Sequence, residues 1–152
     1  MLRRIQKFLV LDWQHKKLFL QAYLVLGKVR YSLLTRPFKK LVAGLDVSRV
    51  DVVQAPLEPS ARATALAVGW AVRTAANFTP WESTCLVQVL AAQRLLQKRG
   101  IAGVFYIGAT NNGAKDEAPG FLAHAWLKCN GEFITGESGY RNSTVISSFS
   151  WS

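Results

Sequence analysis

Cysteine and histidine are nearly absent from this chain. Its two cysteines are Cys85 and Cys129, and its two histidines are His15 and His124. Two cysteines do not build a secreted disulfide scaffold. Nor do they lie a few residues apart, as zinc ligands do, so no metal site is expected. Long apolar runs are also missing. Lys28 and Arg30 interrupt the most hydrophobic helical stretch, Leu18 to Leu34, which falls short of a membrane span. After Met1-Leu2-Arg3-Arg4 no apolar run with a small-residue cleavage site precedes Asp12, so the chain reads as cytoplasmic. There is no phosphate loop and no dinucleotide fingerprint, and no cofactor is expected. Gly136-Glu137-Ser138-Gly139 has the wrong spacing for a nucleophile elbow. No internal repeat or low-complexity tract occurs.

What is present suits one domain of ordinary size. The chain has 152 residues, half of them apolar, with eight Phe, five Trp and four Tyr, enough for a hydrophobic core. The net charge is +10 and unevenly spread. Residues 1–50 hold eleven Lys or Arg against Asp12 and Asp46, whereas residues 51–152 hold eight against seven acids. A basic, partly apolar first third can attract an acidic peptide, a membrane surface or nucleic acid. No nucleic-acid motif accompanies it, so nucleic acid is not an expected partner. The plain alternative is a solvated helical face.

The periodicity predicts helices first and strands last. Asp12 can cap a helix from Trp13 to about Thr35, with Leu18, Ala22, Leu26 and Val29 on one side; Pro37 ends it. Phe38 to Leu45 reads as a shorter helix. Residues 46–59 carry Pro56 and Pro59 without a clear period and read as a linker. Ser60 to Asn77 is an Ala-rich helix. After the Pro80-Trp81 break, Ser83 or Thr84 can cap a helix that holds Cys85 in its first turn and stops at Gly100. Strands follow at Ile101–Ala109, Phe121–Cys129 and Glu132–Glu137. Asn130-Gly131 is a hairpin turn, residues 110–119 a polar loop, and Thr144–Ser148 an edge strand. The expected fold class is α+β, with a helical region over 1–58 and a core over 59–152.

Cysteine attacks as the thiolate, and both a helix N-terminus and a nearby imidazole favour that anion. Cys85 is placed for the first. His124 supplies the second if the sheet packs against the helix start. Each, judged alone, also fits a buried structural role. A third group must orient the imidazole. Pairing Cys129 or Lys128 with Glu132 would bring residues 135–137 beside Leu122–His124, which nominates Glu137; Asn142 and Asn130 are weaker choices. The oxyanion hole would use the Cys85 N–H and a second donor, for which Thr79, Trp81 and Gln88 compete. His15, between Gln14 and Lys16, reads as a surface residue.

Two segments carry a resemblance: Pro80-Trp81-Glu82-Ser83-Thr84-Cys85-Leu86 and Ala123-His124-Ala125-Trp126-Leu127. With Ala91-Ala92-Gln93-Arg94-Leu95-Leu96 and Gly100-Ile101 between them, they resemble the lasso peptide biosynthesis B2 proteins, over roughly residues 60–140. The helix at 16–36 followed by Pro37-Phe38 also resembles that family's N-terminal part. The resemblance implies a transglutaminase-like, papain-like cysteine protease fold, with a nucleophile-bearing helix packed on a small antiparallel sheet. It implies that Cys85 is the nucleophile and His124 the base. The implied reaction removes the leader from a ribosomally made precursor peptide before a separate cyclase closes a macrolactam. In split systems a small leader-recognition protein presents the leader, and the basic first third suits docking of that protein or the leader. The family usually places an aspartate in the returning strand. Here Gly136 and Glu137 occupy that neighbourhood and no Asp follows His124. Two rivals remain: an acyl-transferase of the same fold, and a peptide-binding module that has lost its chemistry.

Overall fold

The computed structural model describes residues 12–48, 56–111, 121–137 and 144–151, with residues 3, 6, 9 and 10 before them. Helix α1, Trp13–Thr35, begins where the Asp12 carboxylate accepts the His15 N–H at 3.1 Å. The His15 ring also pairs with that carboxyl and holds it below the usual carboxylate range. Pro37 cannot continue the helix, and Arg36 N–H donates to the Ser32 carbonyl at 2.8 Å as it ends. A single turn, α2 (Phe38–Leu41), follows and is shorter than the expected Phe38–Leu45 helix. Helix α3, Pro59–Ala76, buries Ala65, Val68, Ala71, Val72 and Ala75. Helix α4, Cys85–Lys98, is the central one; Val87, Leu90, Ala91, Leu95 and Leu96 are buried on more than one side. Gly100, at φ +70°, ends it in the left-handed conformation that lacks a Cβ penalty.

Five strands make one antiparallel sheet in the order β1-β5-β2-β3-β4: β1 Asp46–Ser48, β2 Gly103–Asn111, β3 Phe121–Cys129, β4 Glu132–Thr135 and β5 Thr144–Trp151. Two expectations are corrected here. The 46–59 stretch is not all linker, because Asp46–Ser48 pairs with Ser148–Ser150 as the sheet's edge. Three residues are too few to display a period. The last strand is not an edge. It runs on to Trp151 and lies between β1 and β2, because Phe149 and Trp151 enter the core and the Trp151 indole N–H donates to the Ile101 carbonyl at 2.8 Å.

One sheet face carries the main core. Phe105, Ala125, Leu127, Cys129, Ile134, Phe149 and Trp151 pack against Leu18, Ala22, Leu26 and Val29 of α1 and the buried faces of α3 and α4. The other face holds a small cluster of Val104, Tyr106 and Trp126, with the Tyr106 and Trp126 rings stacked at 5.5 Å. Helix α1 is thus part of the same core as the sheet. Leu26 has no exposed surface. Leu26→Ala is expected to destabilise the chain by about 2–5 kcal/mol. A urea titration that leaves the midpoint unchanged would show that α1 adds nothing to the core.

Candidate functional site

Thr84, not Ser83, caps α4: its Oγ1 accepts the Val87 N–H at 3.4 Å. Cys85 is the first helical residue, half-buried, with a free thiol. The loop before it is held from two sides. Thr79 Oγ1 bonds with the Ala76 and Trp81 carbonyls at 3.1 and 3.0 Å and with Ser83 Oγ at 2.8 Å. Gln88 Nε2, one turn into the helix, donates to the Ser83 carbonyl at 3.1 Å. Helix α1 receives the Trp81 ring, which contacts the space above Gly27 and meets Tyr23 edge-on at 5.2 Å. Of the three candidate oxyanion donors, the Thr79 hydroxyl is committed to the loop, one Gln88 amide N–H is given to Ser83, and the Trp81 ring packs on α1 with its indole N–H buried and unpaired.

A cavity of about 450 Å³ opens at the start of α4, lined by Arg73, Cys85, Gln88, Gly136 and Glu137. The structure thus brings Cys85 and Glu137 together and adds Gln88. It also adds Arg73, to which no sequence motif pointed, and Gly136, the neighbour of Glu137. Arg73 Nη1 donates to the Ile134 carbonyl and ties α3 to the end of β4. Gly69 makes room for that tie, since a Cβ there would lie 2.6 Å from the Ile134 oxygen.

The hairpin register begins as expected, with Cys129 opposite Glu132 and Lys128 opposite Phe133. It then shifts by one residue, and the ladder ends at Thr135 opposite Leu127. The expected juxtaposition of residues 135–137 with Leu122–His124 is corrected accordingly. The extra residue, Ile134, turns inward onto the core, and Gly136 at φ +81° redirects the chain beside the Ala125 carbonyl. Glu137, exposed, then reaches the cavity mouth. Glu132 is engaged elsewhere, in an ion pair with Arg62.

His124 is half-buried on β3, directly opposite Gly108. Side chains alternate along a strand, and Ala125, Leu127 and Cys129 take the helix side. His124 therefore shares its side with Trp126, whose ring covers Gly108. It is not among the described side chains that line the cavity. Asn142 lies outside the described residues, as does most of the 110–119 loop, and Asn130 sits at φ +49° in the exposed hairpin turn. His15 is indeed peripheral, edge-on to Trp70 at 5.4 Å. Among the described residues no group of three His, Cys, Asp or Glu side chains gathers closely enough to hold a metal ion.

A family model, the transglutaminase-like superfamily, matches residues 32–148, well over half the chain. The chain belongs to the transglutaminase-like superfamily. It is the family associated with the lasso peptide biosynthesis B2 proteins, and the matched stretch contains Cys85, His124 and Glu137. No curated protein and no solved structure matches this transglutaminase-like chain.

The second cysteine of this transglutaminase-like domain lies in the core. Cys129 is 1% exposed, and burial together with the nearby Glu132 charge pushes its thiol up to about 12. The folded chain then keeps a proton that the unfolded chain releases near the ordinary thiol value of 9.0. Folding stability therefore falls as pH rises from about 9 to about 12, by roughly 4 kcal/mol from this group. Urea titrations across that range should show a steeper fall for the wild type than for Cys129→Ala. Parallel curves would remove Cys129 as the cause.

Proposed function

We propose that this transglutaminase-like protein is a cysteine peptidase that removes the leader from a ribosomally made lasso precursor peptide. The observation that carries the reading is the place of Cys85: the first residue of the central helix, facing a cavity shared with Gln88 and Glu137. In this reading the thiolate attacks the scissile carbonyl, and the Cys85 N–H and the second Gln88 amide N–H, the one not given to Ser83, stabilise the oxyanion. The resemblance gives the next step to His124, which has to leave the Trp126 side of β3 to reach the cavity: its imidazolium protonates the leaving amine, which becomes the N-terminus of the core peptide. Neutral His124 then activates the water that releases the leader from the thioester. Glu137 takes the orienting role that an aspartate has in the family. No metal or cofactor takes part. The region 1–58 serves docking and 59–152 the chemistry. The partners are the precursor's leader, a small leader-recognition protein and the macrolactam-forming cyclase, in the cytoplasm.

The test is mass spectrometry of a precursor peptide incubated with this protein and a leader-recognition protein. Free core plus intact leader supports the peptidase, and an amide-linked product would indicate acyl transfer instead. A second reading has one observation in its favour: His124 lies on the Trp126 side of β3. A peptide-binding module that has lost its chemistry would leave the precursor whole while still binding it.

A further inference from the structure

Helix α1 has two apolar faces, and the fold uses only one. Leu18, Ala22, Leu26 and Val29 are buried against the core. Half a turn round the same helix stand Trp13, Leu20, Leu24, Tyr31 and Leu34, exposed by 75%, 54%, 65%, 69% and 68%. At 100° per residue these five fall within one narrow stripe. The stripe runs about 27 Å from Trp13 to Tyr31 at 1.5 Å per residue. It is a convex ridge, not a groove, and Leu9 and Val10 prolong the exposed apolar surface at its start. Nearly all of it precedes residue 32, where the family match begins, so the superfamily's chemistry does not account for it.

The charge around the ridge is mostly positive, with Asp12 at its start and Glu82, 3.8 Å from Arg30, as the acids beside it. Between Asp12 and Asp46 there is no acid, while Lys16, Lys17, Lys28, Arg30, Arg36, Lys39 and Lys40 are all cationic. Lys17 and Lys28 are exposed along one flank, and Lys39 and Lys40 lie exposed just past the far end. Among the described residues no helix is long and apolar enough to cross a membrane. A helix that lies on a bilayer has this build: Trp, Tyr and Leu sink to the headgroup boundary, and flanking lysines extend their ammonium groups to anionic lipid.

We infer that the outer face of α1 docks this protein on an anionic lipid surface. A flat, deformable bilayer accommodates a convex ridge over its whole length, and the excess of Lys and Arg over acids along α1 selects negative headgroups. The catalytic cavity lies at the start of α4, on other elements, so docking leaves it open.

The experiment is co-sedimentation of the full chain with vesicles of phosphatidylglycerol and phosphatidylcholine, against phosphatidylcholine alone. The wild type is expected to pellet with the anionic vesicles, and high salt to release much of it. Leu20→Glu with Leu24→Glu should lower the bound fraction at least tenfold. Lys17→Glu with Lys28→Glu should do the same on anionic vesicles. All four positions are exposed, so unchanged melting temperatures would show that the variants fold. No pelleting of the wild type, or equal pelleting of the leucine variant, overturns the inference. So does a dimer, or a complex with the leader-recognition protein, that needs Leu20 and Leu24 while vesicles stay unbound. The assay uses no precursor, so its outcome stands apart from that of the cleavage test.

Discussion

Cys85→Ala is expected to abolish leader removal, with a loss of about 10⁴-fold or more in rate, while precursor binding is retained. The size of the effect follows from the step that disappears. Without the sulfur no thioester forms, and the oxyanion donors and binding contacts alone give only a small residual rate. The substitution is mild for the fold. Cys85 is a half-buried first-turn residue, and the Thr84 cap that starts α4 uses its own hydroxyl and the Val87 N–H. An unchanged melting temperature with lost cleavage would place the effect in the chemistry. Full cleavage by the variant would sink the mechanism. Glu137→Gln in the same assay separates orientation from nucleophilicity, because it removes the charge at the cavity mouth and leaves the thiol. A drop in rate that deepens or shifts with pH fits a group acting through an imidazole. An unchanged pH profile leaves Glu137 as part of the cavity wall.

Gly136→Ala should be the most damaging glycine-to-alanine change among the described residues. Two costs combine there. Gly136 sits at φ +81°, a backbone conformation that costs a non-glycine residue about 1–3 kcal/mol. A Cβ at that position would also lie 2.3 Å from the Ala125 carbonyl oxygen and 2.8 Å from the Trp126 Cα, both backbone atoms of a central strand. Such a contact cannot be relieved by turning a side chain, so β4 must move away from β3, at a further cost of about 1–3 kcal/mol. The expected loss is about 4 kcal/mol, or roughly 8–16 °C in melting temperature for a chain of this size. Gly131→Ala is the control. Its φ is +82°, yet nothing lies within 4 Å of the added methyl, so it should lose only the conformational part. Equal losses in the two variants would mean that the Ala125 contact costs nothing. Because Gly136 and Glu137 both line the cavity, a folded fraction of Gly136→Ala should also cleave more slowly than Gly131→Ala.

Local signals in the sequence determined a good part of this protein. Asp12 and Pro37 bounded α1 at Trp13–Thr35, and a Ser-Thr cap placed Cys85 in the first turn of α4. Asn130-Gly131 set the hairpin with Cys129 opposite Glu132. The α+β class followed from helical periods giving way to strand periods. Caps, prolines and tight turns act within a few residues, so they can be read without knowing what packs where. The tertiary structure alone decided the rest. Asp46–Ser48 became a strand because Ser148–Ser150 lay alongside it, and β5 took an inner position because Trp151 found the Ile101 carbonyl. The inward turn of Ile134 shifted the register and left Gly136 to steer Glu137 to Cys85's cavity. Arg73 joined that cavity from α3, through a bond to a strand distant in sequence. The buried face of α1 was itself legible, because Leu18, Ala22, Leu26 and Val29 recur at helical spacing. Strand order, the shifted hairpin register and the Arg73 tie depend on residues far apart in sequence, which no local pattern records.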